Sequence, residues 1–324
     1  MKAIAQTEYG SPEVLRLEEV DKPVPQDDQV LIRVRAASVD AGVWHLMRGT
    51  PFLIRLIYGG LRRPKQQILG SAIAGDVEAI GKHVTQFQPG DAVFGDLSES
   101  GFGGFAEYVC AAESALALKP RNLTVEEAAT VPVSGLAALQ GLRDVGQLQA
   151  GQQVLIVGAS GGVGSFAVQI AKAFGAEVTG VCHSSKVDMV RSHGADQVID
   201  YTQTDVAQAG QQYDLILDAA AFRAFADYLP VLKPGGTYVM VGGSTPDFFR
   251  AMLLGPVVGK WRDRSVKCLA SQPQQADLLT LKDLLDTGKV VPFIDRIYPL
   301  SDVPDAIRYL EQRRVRGKVA ISIC

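Results

Sequence analysis

Cysteine is scarce in this chain of 324 residues, and what there is stands apart. Cys110, Cys182, Cys268 and Cys324 form no C-x-x-C pair, which excludes a zinc ribbon and a disulfide framework and leaves small buried or terminal thiols. An excess of positive charge is also missing. With 32 Lys and Arg against 35 Asp and Glu the net charge is −3, so nucleic acid is a poor partner and a small molecule or a protein a better one. Long apolar runs are absent too. The opening MKAIAQTEYG carries one lysine and no hydrophobic leader segment, so the expected location is cytoplasmic. The most lipid-like stretch, 248–258, is about a third to half of a membrane span and is broken by Arg250 and Pro256. Its basic flank, Lys260, Arg262 and Arg264, suits an anionic surface, but a buried helix with a solvated end is the favoured reading. There is no internal repeat and no low-complexity tract.

What is present is a globular composition, 47% hydrophobic and 21% charged, with length for about two domains. From residue 1 to about 120 short runs alternate like β-structure between Gly and Pro: KAIAQ, VLRLEEV, QVLIRVRAASV, AGDVEAIG, DAVFG and GFAEYVCA. They predict a compact, mainly β domain. After Pro120, Thr124 and Glu127 have capping-box spacing and open an Ala-rich helical stretch with a break near Pro132. From Gln152 the pattern becomes α/β, with strand-like runs QVLIVG, EVTGVC, QVIDY, YDLILDAA, GTYVMVGG and SVKCLA separated by helical segments, which implies a doubly wound parallel sheet. From Leu278 onward a helix ends at Gly288 and is followed by strand, helix and strand. By pattern alone these last strands would join the α/β domain.

The stretch Gln152–Phe174 reads as strand, glycine-rich turn and helix. Small residues at Ala159, Ser160, Gly161, Gly162, Val163 and Gly164 would let backbone N–H groups and a helix N-terminus approach a pyrophosphate. Ala159 stands where the usual fingerprint has its first glycine. Such a turn also serves ordinary strand-to-helix packing.

These residues, together with VLIRVRAASVDAGVWHLMRG, PGDAVFG, GGFAEYV, AATVPVSGLAAL, GADQVIDY, LKPGGTYVMVGG and the C-terminal GKVVPFIDRIYPLSDVPDAIRYLEQRRVRGKVAISI, resemble the medium-chain dehydrogenase/reductase superfamily, in its zinc-independent quinone-oxidoreductase-like branch. The resemblance covers nearly the whole chain. It implies a GroES-like β-rich catalytic domain from 1–123 and 289–324 and a Rossmann nucleotide-binding domain over 124–288. It also implies an active-site cleft between them and a homodimer through edge strands, here Ser265–Ala270.

NAD-preferring Rossmann units carry an acid about 20 residues past the glycine turn. Here Cys182 is followed by His183, Ser184, Ser185 and Lys186. Ser184 and Lys186 can take a 2′-phosphate, and Tyr201 matches the family position near the adenosine phosphate, so the expected cofactor is NADPH. Gly242 and Gly243, after the fifth strand, match the nicotinamide end, where a strand-ending turn is the competing reading. Arg313 corresponds in some relatives to a phosphate contact, but Arg313, Arg314, Arg316 and Lys318 read more simply as a solvated basic face. Two departures from the family stand out: Ala137-Ala138 replaces a frequent Thr-Ala, and Asp218-Ala219-Ala220-Ala221 replaces D-x-x-G.

The zinc ligands of alcohol dehydrogenases have no counterparts. The early loop reads Ser38-Val39-Asp40, and the G-H-E-x-x-G motif reads Gly70-Ser71-Ala72-Ile73-Ala74-Gly75, so no metal site is expected. What remains is hydride transfer from NADPH to a quinone or to the β-carbon of an α,β-unsaturated carbonyl, aided by hydrogen-bond donors. Candidates for such roles are His45, Arg48 and Tyr58, with Asp40 where relatives usually carry Asn, although each also suits a structural role. The loop 51–67 reads as an acceptor wall or, by preference, a helix over the core. A metal-free alcohol dehydrogenase or carbonyl reductase, and an NADPH-binding regulatory protein with little turnover, remain as alternatives.

Overall fold

The computed structural model describes every residue except Gly59, Gly243, Ser244, Arg262 and Cys324, together with all side chains but those of Thr245 and residues 259–261. The chain divides into two compact units, Met1–Val133 with Pro273–Asp286 and Pro292–Cys324, and Ser134–Gln272 with Thr287–Val291.

The first unit is β-rich. Strands β1 (Lys2–Ala5) and β2 (Arg16–Glu19) form an antiparallel pair. The large sheet contains β3 (Gln29–Val39), β4 (Ala72–Ile80), β5 (Ala92–Asp96), β6 (Tyr108–Ala112) and β7 (Leu116–Leu118). Its order is β14-β15-β3-β4-β5-β7, with β6 also paired to β3, where β14 is Ile294–Pro299 and β15 is Lys318–Ser322. The C-terminal strands thus lie in the β-rich unit, as the family resemblance implied and the local pattern did not. Periodicity reports only whether a segment is a strand. Its sheet is set by a pairing partner nearly 300 residues away, Val319 against Val39. The inner faces of β3 and β4 supply Val30, Ile32, Val34, Ile73 and Val77 to one hydrophobic core.

Two helices leave this sheet between β3 and β4: α1 (Ala41–Arg48) and α2 (Phe52–Ile57). The helix expected over the core within 51–67 is there, but it covers little. Phe52, Leu53, Leu56 and Ile57 are exposed and only Ile54 packs against the core. Helix α3 (Val125–Ala129) begins with the expected capping box, in which Thr124 Oγ1 accepts from Glu127 N–H at 3.2 Å and Glu127 Oε2 accepts from Thr124 N–H at 2.8 Å. The break at Pro132 separates it from α4 (Pro132–Gln140).

The second unit holds a wholly parallel six-stranded sheet in the order β10-β9-β8-β11-β12-β13. These are β8 (Gln153–Val157), β9 (Glu177–Cys182), β10 (Gln197–Asp200), β11 (Tyr213–Asp218), β12 (Leu232–Met240) and β13 (Ser265–Cys268). All six strands read from the sequence are present. The continuous apolar run of β8 fits a central strand covered on both faces, and α5 (Gly162–Ala173) buries Gly164–Ala171 against it. Helices α6 (Val187–Ser192), α7 (Phe225–Tyr228) and α8 (Thr245–Trp261) complete the connections. Among the described residues, the outer strand β13 pairs with β12 alone. Helices α9 (Gln275–Asp286) and α10 (Val303–Glu311) belong to the β-rich unit.

The stretch 248–258 lies inside α8, with Ala251 buried and Met252, Leu253, Leu254 and Val257 exposed. No described helix is long and apolar enough to cross a membrane. Arg262 and the side chain of Lys260 lie outside the described residues, whereas Arg264 Nε donates to Leu232 O at 2.9 Å. Cys182 is buried and Cys110 and Cys268 are half-buried free thiols, while Cys324 falls outside the description.

Candidate active site

The glycine turn closes the end of β8. Gly158 takes φ +78°, and Gly161 N–H donates to Gly158 O at 2.9 Å. A Cβ on Gly164 would sit 2.1 Å from Gly158 O, so only glycine lets the first turn of α5 seat on the loop. Ala159 is fully buried, and its Cβ lies 3.0 Å from where a Cβ on Gly180 of β9 would fall. Gly161 differs from both. It is the N-cap of α5 with φ −87°, and a Cβ there would meet only Gly158 O at an ordinary 3.4 Å. Nothing in the protein requires glycine at 161, while the half-exposed helix N-terminus presents N–H groups that the helix itself cannot satisfy. A cradle of this kind fits a pyrophosphate.

The other expected cofactor residues gather at the same end of the sheet. Ser184 and Lys186 form the short turn after β9, where His183 Nδ1 accepts from Ser185 N–H at 3.2 Å. Tyr201 follows β10, with its N–H donating to Cys182 O at 3.2 Å. Its ring stands 6.0 Å from His183 and 5.3 Å from Phe222, a residue just past β11 that sequence reasoning did not single out. The signal available for Phe222 was an aromatic directly after the Asp218–Ala221 strand end. Because β9, β8 and β11 are neighbours, these loops line the carboxyl ends of adjacent strands at the point where strand order reverses, the usual ligand crevice of such sheets.

A carboxylate does stand close by, one strand over. Asp200 pairs in register with Cys182, and it accepts from Thr202 N–H, Thr202 Oγ1 and Gln203 Nε2 at 2.7–2.9 Å. The Thr202 hydroxyl, helped by the other donors, holds its pKa below the usual carboxylate value. Deeper, Asp218 is fully buried, accepts from Ala220 N–H, Ala221 N–H and Tyr238 Oη at 2.7–3.0 Å, and has its pKa raised by burial. Gly242 N–H reaches Asp218 O at 3.4 Å, while Gly243 is outside the described residues.

In the β-rich unit the expected polar residues hold the frame. Asp40 is the buried N-cap of α1, its Oδ1 accepting from Val43 N–H at 3.1 Å and its Oδ2 from Ser71 Oγ at 3.4 Å. Arg48 is ion-paired to Glu311, whose Oε1 also accepts from Trp44 Nε1. His45 Nδ1 lies 2.7 Å from Thr50 O, with its ring edge-on to Trp44. Tyr58 is 40% exposed and packs edge-to-face on Phe102 at 5.7 Å.

One sequence reading is overturned here. Lys318, grouped with the solvated arginines, is 3% exposed. It opens β15 between β14 and β3, so its side chain enters the covered end of the sheet, whereas Arg313, Arg314 and Arg316 stay outside in the preceding turn. Burial lowers its pKa, opposed by the charges of Asp40 and Asp96. Asp96, at the end of β5, is pushed up to about 6 by burial.

A parallel sheet with a glycine cradle at its switch point, joined in one chain to a β-rich unit that uses both chain ends, defines a two-domain nucleotide-dependent oxidoreductase. Family models agree: one described as an alcohol dehydrogenase GroES-like domain matches residues 26–121, and one described as a zinc-binding dehydrogenase matches 193–321. The chain is 34% identical to the 2-methylene-furan-3-one reductase of Solanum lycopersicum over 99% of its own length and 79% of the relative's. It is 32% identical to the chloroplastic NADPH-dependent alkenal/one oxidoreductase of Arabidopsis thaliana, with the same coverage. Among solved structures, the quinone oxidoreductase of Coxiella burnetii superposes with a TM-score of 0.88 at 30% identity, covering 100% of this chain and 99% of that one. The chain belongs to the medium-chain dehydrogenase/reductase superfamily, in its quinone-oxidoreductase-like branch, and is an NAD(P)H-dependent oxidoreductase.

Proposed function

We propose that the protein reduces quinones or α,β-unsaturated carbonyls with NADPH, without zinc, as a cytoplasmic homodimer. The observation that carries the nucleotide half is Gly161, a position where the fold tolerates a side chain and an approaching pyrophosphate does not. NADPH is preferred because Ser184 and Lys186 form the turn after β9, whose His183 ring stands 6.0 Å from that of Tyr201, while the Asp200 carboxylate is engaged by its own turn. The relatives named for enone and quinone reduction support the acceptor class. The catalytic domain is assigned to 1–123 and 289–324 and the nucleotide domain to 124–288, although 124–133 and 273–286, with α3 and α9, fold as part of the β-rich unit. The free side of β13 is the proposed dimer edge.

The residues at the zinc-ligand positions do not suit a zinc ion. Asp40 is committed to capping α1, Ser71 offers a hydroxyl, and the buried Lys318 ammonium stands close by, its Nζ 3.4 Å from Val39 O. NADPH, when bound, supplies the hydride. The protein's part is to bind the pyrophosphate on the N-terminus of α5, to hold the 2′-phosphate with Ser184 and Lys186, and to orient the acceptor while a donor or water meets the charge growing on its oxygen.

Steady-state oxidation of NADPH against a panel of quinones, enones and saturated aldehydes tests the reading. Turnover of quinones or enones is expected. Turnover of saturated carbonyls alone would overturn it in favour of a metal-free carbonyl reductase.

A further inference from the structure

We propose that the exposed face of α2 and the turn after it dock on an anionic lipid surface, an interaction that goes beyond the reduction chemistry and does not depend on it. Between Asp40 and Asp76 the chain carries no acidic residue, while Arg48, Arg55, Arg62, Arg63 and Lys65 all fall in that stretch. In a chain of 324 residues with 35 Asp and Glu, a gap of this length is a local bias of charge towards positive. The overall net charge of −3 conceals it.

The helix is short and one-sided. Positions 52, 53, 56 and 57 share a face by helical spacing, and on it Phe52, Leu53, Leu56 and Ile57 are 42–65% exposed. The other side is committed to the protein. Ile54 packs against the core, and Arg55 donates from Nε to Gly49 O at 2.9 Å while covering the Tyr9 ring at 4.4 Å. Leu61, 54% exposed, follows in the turn. Arg62, Arg63 and Lys65 come next, exposed and without an ion pair among the described residues, whereas Arg48 is spent on Glu311.

Exposed apolar side chains followed by unpaired cations supply the two halves of peripheral membrane binding: the apolar groups enter the headgroup boundary, and Lys and Arg meet the anionic heads. The missing carboxylates select this partner over another protein. A lipid surface of one sign repels every acid set against it, whereas a protein partner presents both signs and leaves room for some. A second exposed apolar patch, Met252, Leu253, Leu254 and Val257 on α8, gives the contrast. There Arg250 is ion-paired to Asp247, and the helix packs on β13, since a Cβ on Gly255 would sit 2.5 Å from Val266 Cγ1. That patch thus adjoins the proposed dimer edge and mixes its charges, while α2 lies in the β-rich unit. With six residues α2 makes fewer than two turns, so its insertion is shallow and reversible and the cations are needed to hold it.

The test is sedimentation of the full chain with vesicles, which needs no turnover and so stands or falls apart from the functional reading. Binding is expected to phosphatidylcholine vesicles holding about one quarter phosphatidylserine and not to phosphatidylcholine alone, and it is expected to be lost in about 0.5 M sodium chloride. The triple change Arg62→Gln, Arg63→Gln and Lys65→Gln is expected to weaken it about a hundredfold, at roughly fivefold for each charge near the surface. Leu56→Gln with Ile57→Gln is expected to weaken it about tenfold or more, through the lost apolar insertion. All five side chains are exposed, so the melting temperature is expected to stay nearly unchanged in both variants. No binding to the phosphatidylserine vesicles overturns the proposal, as does equal binding to both kinds of vesicle. Loss in the charge variant with none in the apolar one also overturns it, leaving only adsorption of a cationic stretch. So does a larger assembly of the parent in gel filtration that Leu56→Gln with Ile57→Gln takes apart, which would give this face to a second copy of the chain.

Discussion

Lys318 Nζ lies 3.4 Å from the main-chain oxygen of Val39, which sets a buried ammonium next to Asp40. The sheet order explains who else is there. Lys318 opens β15, Asp40 follows β3, Ser71 precedes β4 and Asp96 ends β5, and these four strands are consecutive in the sheet, so one end of it collects a cation and two carboxylates. Lys318→Met would leave the carboxylates buried without their counter-charge. The expected loss is about 3 kcal/mol at pH 8, in the range for breaking a buried charge set, and less at pH 5.5, where protonation relieves the repulsion. Urea unfolding of both proteins at the two pH values measures it. An equal loss at both would show that only packing was removed.

Asp96 adds a pH dependence of its own. Burial, joined by the charges of Asp40 and Glu99, outweighs the Ser98 hydrogen bonds and raises the folded pKa from 3.8 to about 6. A raised carboxyl binds its proton more tightly when folded, so its contribution is full below pH 3.8, declines as pH rises towards 6 and is flat beyond. Asp96→Asn removes that decline. Relative to the parent it is expected to gain stability between pH 4 and 6, reaching on the order of 3 kcal/mol at pH 7. Denaturant midpoints of the pair across this range check the sign.

A non-glycine residue in the left-handed region gives a third expectation. Ala221 has φ +44°, and its N–H, with that of Ala220, is tied to Asp218 Oδ1. Ala221→Gly relieves the strain but adds unfolded-state freedom, so the net gain is about 0.5 kcal/mol. A melting temperature lowered by this change would rule out strain at Ala221.

This position also shows what the sequence could and could not reveal. The family's D-x-x-G pattern marked residue 221 as unusual, and the structure supplies the reason: the turn after β11 demands a positive φ. The six strands of the parallel sheet and the capping box of Thr124 were legible because both are local patterns. Lys318, Phe222 and Gln6 were not. A lysine four residues after an arginine pair reads as surface until β15 is known to lie between β14 and β3. Nor does any local signal reveal that the amide of Gln6 meets no partner among the described residues.

The glycine turn separates fold from function cleanly. Gly164→Ala places a Cβ 2.1 Å from Gly158 O and is expected to damage the turn itself. Gly161→Ala meets nothing closer than 3.4 Å and is expected to leave the melting temperature nearly unchanged while weakening NADPH at least tenfold, since the methyl group would stand in the way of the proposed pyrophosphate. Isothermal titration of both variants, with circular dichroism as the control for folding, measures this. Unchanged affinity in Gly161→Ala would remove the pyrophosphate from this turn.

The proposed preference for NADPH turns on Lys186. It closes the turn after β9, two residues past Ser184, and its ammonium offers a charge that only a 2′-phosphate requires. Lys186→Ala is expected to raise the KM for NADPH tenfold or more and to change that for NADH by less than about twofold, because a charge-assisted hydrogen bond is worth about 1.5–3 kcal/mol and NADH has no group to make it. Asp200 gives the complementary arm. Its carboxylate is one strand away and held ionised by Thr202 and Gln203, so Asp200→Asn removes a negative charge near the same phosphate and is expected to improve NADPH modestly. If Lys186→Ala lowered the two cofactors equally, the residue would act on the turn and not on the phosphate, and the preference for NADPH would have to be sought in Tyr201 or Ser184.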